Sequence, residues 1–294
     1  LKGGSASFFI GNFLALLAFA QILDLIASPI DRYTGFGFLE ELSQPMSKSK
    51  IMTKSVQIPN GELFIDAYLA APDGDGAYPA VIVIQEIFGV NGHIRDVTER
   101  IAGLGYVAIA PAMYQRLAPG FTAGYAPADV QLGREYKMRT KAVELRSDIQ
   151  ATIDYLYGLS QVKTMGVGLI GFCFGGHVVY LGAALPEVKA TASFYGAGIT
   201  NWLPGEEQGA TIEETGAIAG EIQLFFGKED ASIPLEQVAQ IEAALKQHQI
   251  PHQIFCYDGA GHGFFCDRRD SYNKQAADAA WQAVQALFTR TIAP

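Results

Sequence analysis

The sequence predicts an α/β fold with a mostly parallel central sheet and helices on both faces. Three observations carry this. Short unbroken apolar runs, Ala80 to Ile84 and Tyr106 to Ala110, read as strands buried on both faces. Amphipathic segments at helical spacing alternate with such runs, which is the order that builds a parallel sheet. Third, Gly171-Phe172-Cys173-Phe174-Gly175-Gly176 turns an apolar run, Val167 to Ile170, sharply into an apolar and small-residue segment, His177 to Leu185. A strand that turns into a helix with glycines around one central residue is a nucleophile elbow.

In chain order, residues 1–50 stand apart from the rest. The run from Phe8 to Ala27 is almost wholly apolar, long enough to span a bilayer, and interrupted by Asn12, Gln21 and Asp24. Three readings stay open for it: an extension upstream of a natural start at Met46, a membrane anchor, or an apolar helix packed on the domain or on a partner. Residues 51–294 read as one domain without internal repeat or linker. Ser55 to Ile58 and Leu63 to Ala70 form two antiparallel strands around Pro59-Asn60-Gly61. A buried strand over Ala80 to Ile84, a helix over His93 to Leu104 closed by Gly105, and a strand over Tyr106 to Ala110 follow. Ala128 to Tyr157 is helical in two pieces. After the elbow come strands at Ala190 to Phe194 and Ile222 to Phe226, a helix at Leu235 to Gln247, a strand at Gln253 to Tyr257 and a last helix at Asn273 to Thr289.

Composition removes several function classes. The net charge is −9 and no basic cluster exists to neutralise phosphates, so nucleic acid is not expected as a partner. Three cysteines, Cys173, Cys256 and Cys266, are too few for a disulfide scaffold and suit a reduced, cytoplasmic compartment. Metal and nucleotide motifs are absent, and neither a metal nor a cofactor is expected. Glu206, Glu207, Glu213 and Glu214 read as a solvated face of a lid spanning Trp202 to Gly220.

Loops after the C-terminal ends of the strands should hold the chemistry. A thiol at Cys173 faces the positive end of the helix dipole, which favours the thiolate; a packed structural cysteine is the bland alternative. A nucleophile needs a base and the base an orienter. His262, in Gly259-Ala260-Gly261-His262-Gly263-Phe264, can project from a glycine-rich loop into a cleft. His93, His177, His248 and His252 read as structural or solvent-facing. The orienting acid should fall between nucleophile and histidine in chain order. Asp230 in Gly227-Lys228-Glu229-Asp230 fits, with Glu229 as rival and an Asx-turn as the bland alternative. Gln85-Glu86-Ile87-Phe88-Gly89 follows a buried strand, where a carboxylate is costly unless paired. That loop and the elbow make the backbone N–H groups of Ile87 and Phe174 the candidate oxyanion donors, with Glu86 beside Cys173.

These four segments together resemble the dienelactone hydrolase (carboxymethylenebutenolidase) family, from about Lys54 to Phe288. The resemblance implies an α/β-hydrolase fold. It also implies a triad of Cys173, His262 and Asp230 that opens lactone or ester bonds of small molecules without a cofactor. It puts Glu86 against the thiol, able to help deprotonate it once substrate binds. It makes Arg116, in Pro111-Ala112-Met113-Tyr114-Gln115-Arg116, a grip for a substrate carboxylate. The second arginine expected four residues after the histidine is replaced by Cys266, with Arg268 or Arg269 as possible substitutes. Tyr195 fits a cleft-lining position. A hydrolase of an unrelated small ester on the same fold, and a non-catalytic member that binds a small ligand, are the alternatives.

Overall fold

Strand β3 (Tyr78–Ile84) sits at the heart of the sheet and shows why the chain layers as it does. Val81, Ile82, Val83 and Ile84 are all fully buried. Because successive side chains point to opposite faces, Val81 and Val83 join one core cluster while Ile82 and Ile84 join the other. One strand thus needs an apolar layer above it and another below. The computed structural model describes residues 50–206 and 208–292. Residues 1–49, with the apolar run at 8–27 and Met46, and Glu207 of the lid lie outside the described residues.

Eight strands form one sheet in the order β1-β2-β4-β3-β5-β6-β7-β8. The hairpin of β1 (Ile51–Asn60) and β2 (Leu63–Pro72) is antiparallel, and β2 meets β4 (Val107–Pro111) antiparallel as well. From β4 onward every pairing is parallel, through β5 (Val162–Phe172), β6 (Val188–Phe194), β7 (Glu221–Gly227) and β8 (His252–Tyr257). Helices α1 (Gly92–Gly103), α5 (Leu235–Gln247) and α6 (Lys274–Thr291) contribute to the core on one face; α3 (Ala142–Tyr157) and α4 (Phe174–Gly182) contribute on the other. Helix α2 (Pro127–Met138) has Gly133 as its one buried residue. Among the described residues no helix is long and apolar enough to cross a membrane.

Two strands start four or five residues before their sequence expectation. The hairpin pairs from Ile51 against Pro72, four residues before Ser55, along a stretch whose exposed side chains hide it from a search for alternating burial. Strand β5 starts five residues before Val167. Its register shifts between Val167 and Gly168, and Gly166 takes φ 119°, so an irregular, part-exposed lead-in precedes the buried core of the strand. The elements named from the sequence all occur in the expected order.

Candidate active site

The elbow is built by backbone crowding. Cys173 has φ 56° and ψ −114°, a left-handed conformation that non-glycine residues rarely adopt, and it caps the N-terminus of α4. A Cβ at Gly171 would collide with the carbonyl of Gly175, and one at Gly175 with the carbonyls of Ile84 and Gln85. Glycine therefore lets the first turn of α4 press against the loop after β3. That contact sets the start of α4, which Cys173 caps, against the loop that carries Glu86 and Ile87. The loop is pinned from behind, since Met113 N donates to Gln85 Oε1 at 3.1 Å.

The loops after β7 and β8 are clasped together. Glu229 N donates to Ala260 O at 3.0 Å, and a Cβ at Gly227 would strike that same residue's carbonyl. Asp230 uses both of its oxygens. Oδ1 accepts from Ser232 N at 2.8 Å, the Asx-turn, and Oδ2 lies 2.7 Å from His262 Nδ1. The Asx-turn occupies one oxygen of Asp230, and the other oxygen faces the imidazole. His262 Nε2 then lies 3.1 Å from Cys173 Sγ. Burial by itself would lower the imidazole, but the neighbouring Cys173 sulfur and the Asp230 carboxylate outweigh it and raise His262 to about 10. The arrangement can hold a proton on His262 facing the Cys173 sulfur.

Glu86 is fully buried, and its partner is Arg269, whose Nη1 donates to Oε1 at 3.0 Å. Burial pushes the carboxyl up, and Arg269 and then His262 pull it back. Among the described residues Oε2 has no hydrogen-bond partner. Glu86 was expected beside the thiol; its bonded partner is Arg269, and His262 acts on it through charge. Arg269 reaches it by crossing the histidine loop, where Gly263 at φ 82° leaves no Cβ in the way of the guanidinium. Arg268 packs elsewhere, over Gly92 at the start of α1.

Arg116 is not brought to this group. Its guanidinium pairs with Asp148 of α3 at 2.6 Å, and Asn60 Nδ2 donates to the same carboxylate oxygen at 2.7 Å. A nearly buried carboxylate attracts the nearest arginine, and here that carboxylate is Asp148. The hairpin tip and α3 are joined by this contact. Tyr195, with φ 37°, is fully buried and sets its ring edge-on to His262 at 5.2 Å, so it walls the imidazole and does not line an open cleft. Cys266 is buried too; its thiol lies 3.2 Å from Tyr125 Oη, and burial pushes it up to about 11. Cys256 and Cys266 are both free thiols.

Two histidines set aside as structural are buried and serve the frame. His93 packs between Phe172 and Phe265. His177 lies 3.1 Å from Ala197 O and 2.6 Å from Thr211 Oγ1, and burial pushes it down to about 3. Ligand atoms of Glu86, His93 and Cys266 lie within 4.8 Å of one another; Arg269 already holds the first and Tyr125 the third. Sequence reasoning missed what binds Glu86, and it missed Lys137. The latter lies on α2 with its ammonium 4.9 Å from the Trp202 ring centre. The signal for Lys137 was its helical spacing from Gly133 and Tyr136; for the Glu86–Arg269 pair no local signal exists.

A profile of the dienelactone hydrolase family matches residues 65–292. A Synechocystis sp. protein provisionally named a carboxymethylenebutenolidase is 59% identical over 238 residues, 81% of this chain and 96% of that protein. A protein of the same provisional name from Escherichia coli (strain K12) is 34% identical, over 81% of this chain and 87% of its own. Among solved structures, one from Klebsiella pneumoniae, provisionally named a dienelactone hydrolase, aligns with a TM-score of 0.75 at 30% identity. It covers 82% of this chain and 99% of its own.

Proposed function

The chain belongs to the dienelactone hydrolase family, and from that premise we propose that it hydrolyses a small-molecule lactone or ester through a thioester on Cys173. The single observation that carries this is the unbroken line Asp230–His262–Cys173, with contacts of 2.7 and 3.1 Å. His262 Nε2 takes the Cys173 proton to give the thiolate. The thiolate attacks the carbonyl carbon, and the Phe174 and Ile87 N–H groups receive the oxyanion. As the tetrahedral intermediate collapses, the carbon–oxygen bond of the ester breaks and the leaving oxygen takes the proton from His262 Nε2. The neutral imidazole then removes a proton from water as that water attacks the thioester. The carbon–sulfur bond breaks, the acid is released, and thiolate and imidazolium are restored. No cofactor enters the cycle.

Each group supplies a recognised share. A positioned acid–base contributes roughly 10²–10⁴-fold and an oxyanion donor about 10²–10³-fold. Asp230 holds the tautomer and supports the imidazolium. Glu86, tied to Arg269, offers a second acceptor for the thiol proton, because among the described residues one of its carboxylate oxygens has no partner. Arg269 supports an anionic substrate as a reading, since a substrate carboxylate would compete with Glu86 for it. The test is turnover of a panel of lactones, p-nitrophenyl esters and dienelactones by the parent chain and by Cys173→Ala. Hydrolysis should fall by about 10⁴-fold or more in the variant, with an unchanged melting temperature. Retained hydrolysis on every substrate would remove the thioester.

A further inference from the structure

Helix α2 lies over the oxyanion side of the site by one face. A Cβ at Gly133 would collide with the carbonyl of Ile87, so the helix rests directly on the loop that offers the Ile87 N–H. Three residues on, the Tyr136 ring packs against Tyr114 at 5.7 Å, and Tyr114 packs on Phe174, the other donor residue, at 5.4 Å. Residues three and four apart share a helix face, so Lys137 issues from the same side. Its ammonium stands over the indole of Trp202, an arrangement that a cation and an aromatic ring favour.

That ammonium has an unusual setting. Burial pulls Lys137 down, the Cys173 sulfur pulls it up, and Arg134 pulls it down; no carboxylate among the described residues acts on it. A half-buried cation held over an aromatic ring, without an acidic partner among those residues, is a place for an anion to bind. The platform beneath it is rigid. Trp202 sets its ring edge-on to His177 at 5.3 Å, and its carbonyl accepts from Thr211 N and Thr211 Oγ1, each at 3.2 Å. Thr211 is fixed in turn by His177, and one helical turn on, Thr215 Oγ1 lies 2.7 Å from Tyr180 Oη. Two side chains of α4 therefore staple the lid segment that carries Trp202 to the same helix that Cys173 caps.

We propose that Lys137 and Trp202 form a carboxylate subsite beside Cys173, in which the Lys137 ammonium holds an anionic group of the substrate while the indole bounds its apolar part. This rests on the hydrolase reading for its role in turnover, but not for the existence of the subsite. Lys137→Met keeps the apolar stem and removes the charge. Its kcat/KM for an ester bearing a carboxylate should fall relative to that for a neutral ester of equal size by roughly 10- to 100-fold, mostly in KM. Equal losses on both esters, with a displaced acid limb of the pH profile, would mean that the lysine serves the thiolate and would overturn the subsite.

A second measurement needs no turnover. In a Trp281→Phe background Trp202 is the remaining tryptophan. Benzoate should perturb its fluorescence, benzamide should do so far less, and Lys137→Met should weaken benzoate binding roughly 10- to 100-fold. No benzoate binding to the parent chain, or equal affinity in Lys137→Met, overturns the subsite. Absent Cys173-dependent hydrolysis with intact benzoate discrimination would instead remove the hydrolase reading and leave the subsite standing.

Discussion

Two carboxylate–base pairs flank Cys173, and they are built differently. Asp230 and His262 meet at 2.7 Å, Glu86 and Arg269 at 3.0 Å, and both carboxylates are buried. Asp230 has both oxygens bonded, one to the histidine and one to the Ser232 backbone. Glu86 has one oxygen bonded and, among the described residues, one without a partner. Burying a polar atom without a partner costs free energy, so the first pair is a settled fixture and the second retains a reason to rearrange. The difference matches their proposed roles: one pair orients a base through every turnover, while the other can exchange a proton or a partner when substrate arrives.

The sharpest test of the settled pair is Asp230→Asn. The asparagine can keep the Ser232 contact but presents no charge to the imidazole. We expect kcat to fall by about 10²–10⁴-fold and the alkaline limb of kcat/KM to move from near pH 10 toward neutrality. The sign follows from the folded protein. His262 is raised from its ordinary 6.5 to about 10, so the folded state binds the proton more tightly. The stability this gives is fully present below pH 6.5, declines as pH rises and is gone above about 10. In Asp230→Asn the urea midpoint should depend less on pH across that window. An unchanged alkaline limb would show that the sulfur alone sets the imidazole, and the two pairs would lose their contrast.

The pair with a free oxygen is probed through Arg269→Met. Removing one partner of a buried pair strands the other, at a cost of about 3–5 kcal/mol. For a domain of this size that is a fall in melting temperature of roughly 6–20 °C. The double variant Glu86→Gln/Arg269→Met should recover most of it, because neither charge is then left buried. The pH limb belonging to His262 should stay close to its place, since Asp230 is untouched. Full stability in Arg269→Met would mean that Glu86 is held by something other than the guanidinium.

The same contrast explains what could be read in the sequence. Cys173, Asp230 and His262 announce themselves because their positions are enforced locally, by glycines at 171, 175, 176, 227 and 263 that permit backbone to touch backbone or a side chain to pass. Such constraints leave a trace within a few residues of the group they place. The partners of Glu86, Arg116 and Lys137 are chosen across long sequence separations by whichever buried charge or ring the fold brings near. Arg269 meets Glu86 from 183 residues away and Arg116 meets Asp148 from 32. An arginine or lysine in a loop or on a helix carries no local mark of which carboxylate will claim it. The strand lead-ins at Ile51 and Val162 were obscured for a related reason: their exposed residues follow no burial pattern.

Arg116 is where the two kinds of information diverge most, and it gives the smallest expected effect. Its resemblance-based role is to grip a substrate carboxylate, whereas its guanidinium is bonded to Asp148. Burial pushes the Asp148 carboxyl up, and Arg116 and Asn60 oppose this by hydrogen bonding to the charged form. In Arg116→Met the Asn60 bond survives, so the loss is about 1–2 kcal/mol of stability, read as a modest fall in melting temperature that Asp148→Asn largely restores. The ratio of kcat/KM between an anionic and a neutral ester should stay within about twofold of the parent, because a 1.4 kcal/mol change is needed for tenfold and the lost contact faces α3. If that ratio instead collapsed while stability held, Arg116 would have to leave Asp148 and turn to the substrate. The ion pair would then be a resting position, and the mobile cation of this site would be Arg116 in place of Arg269.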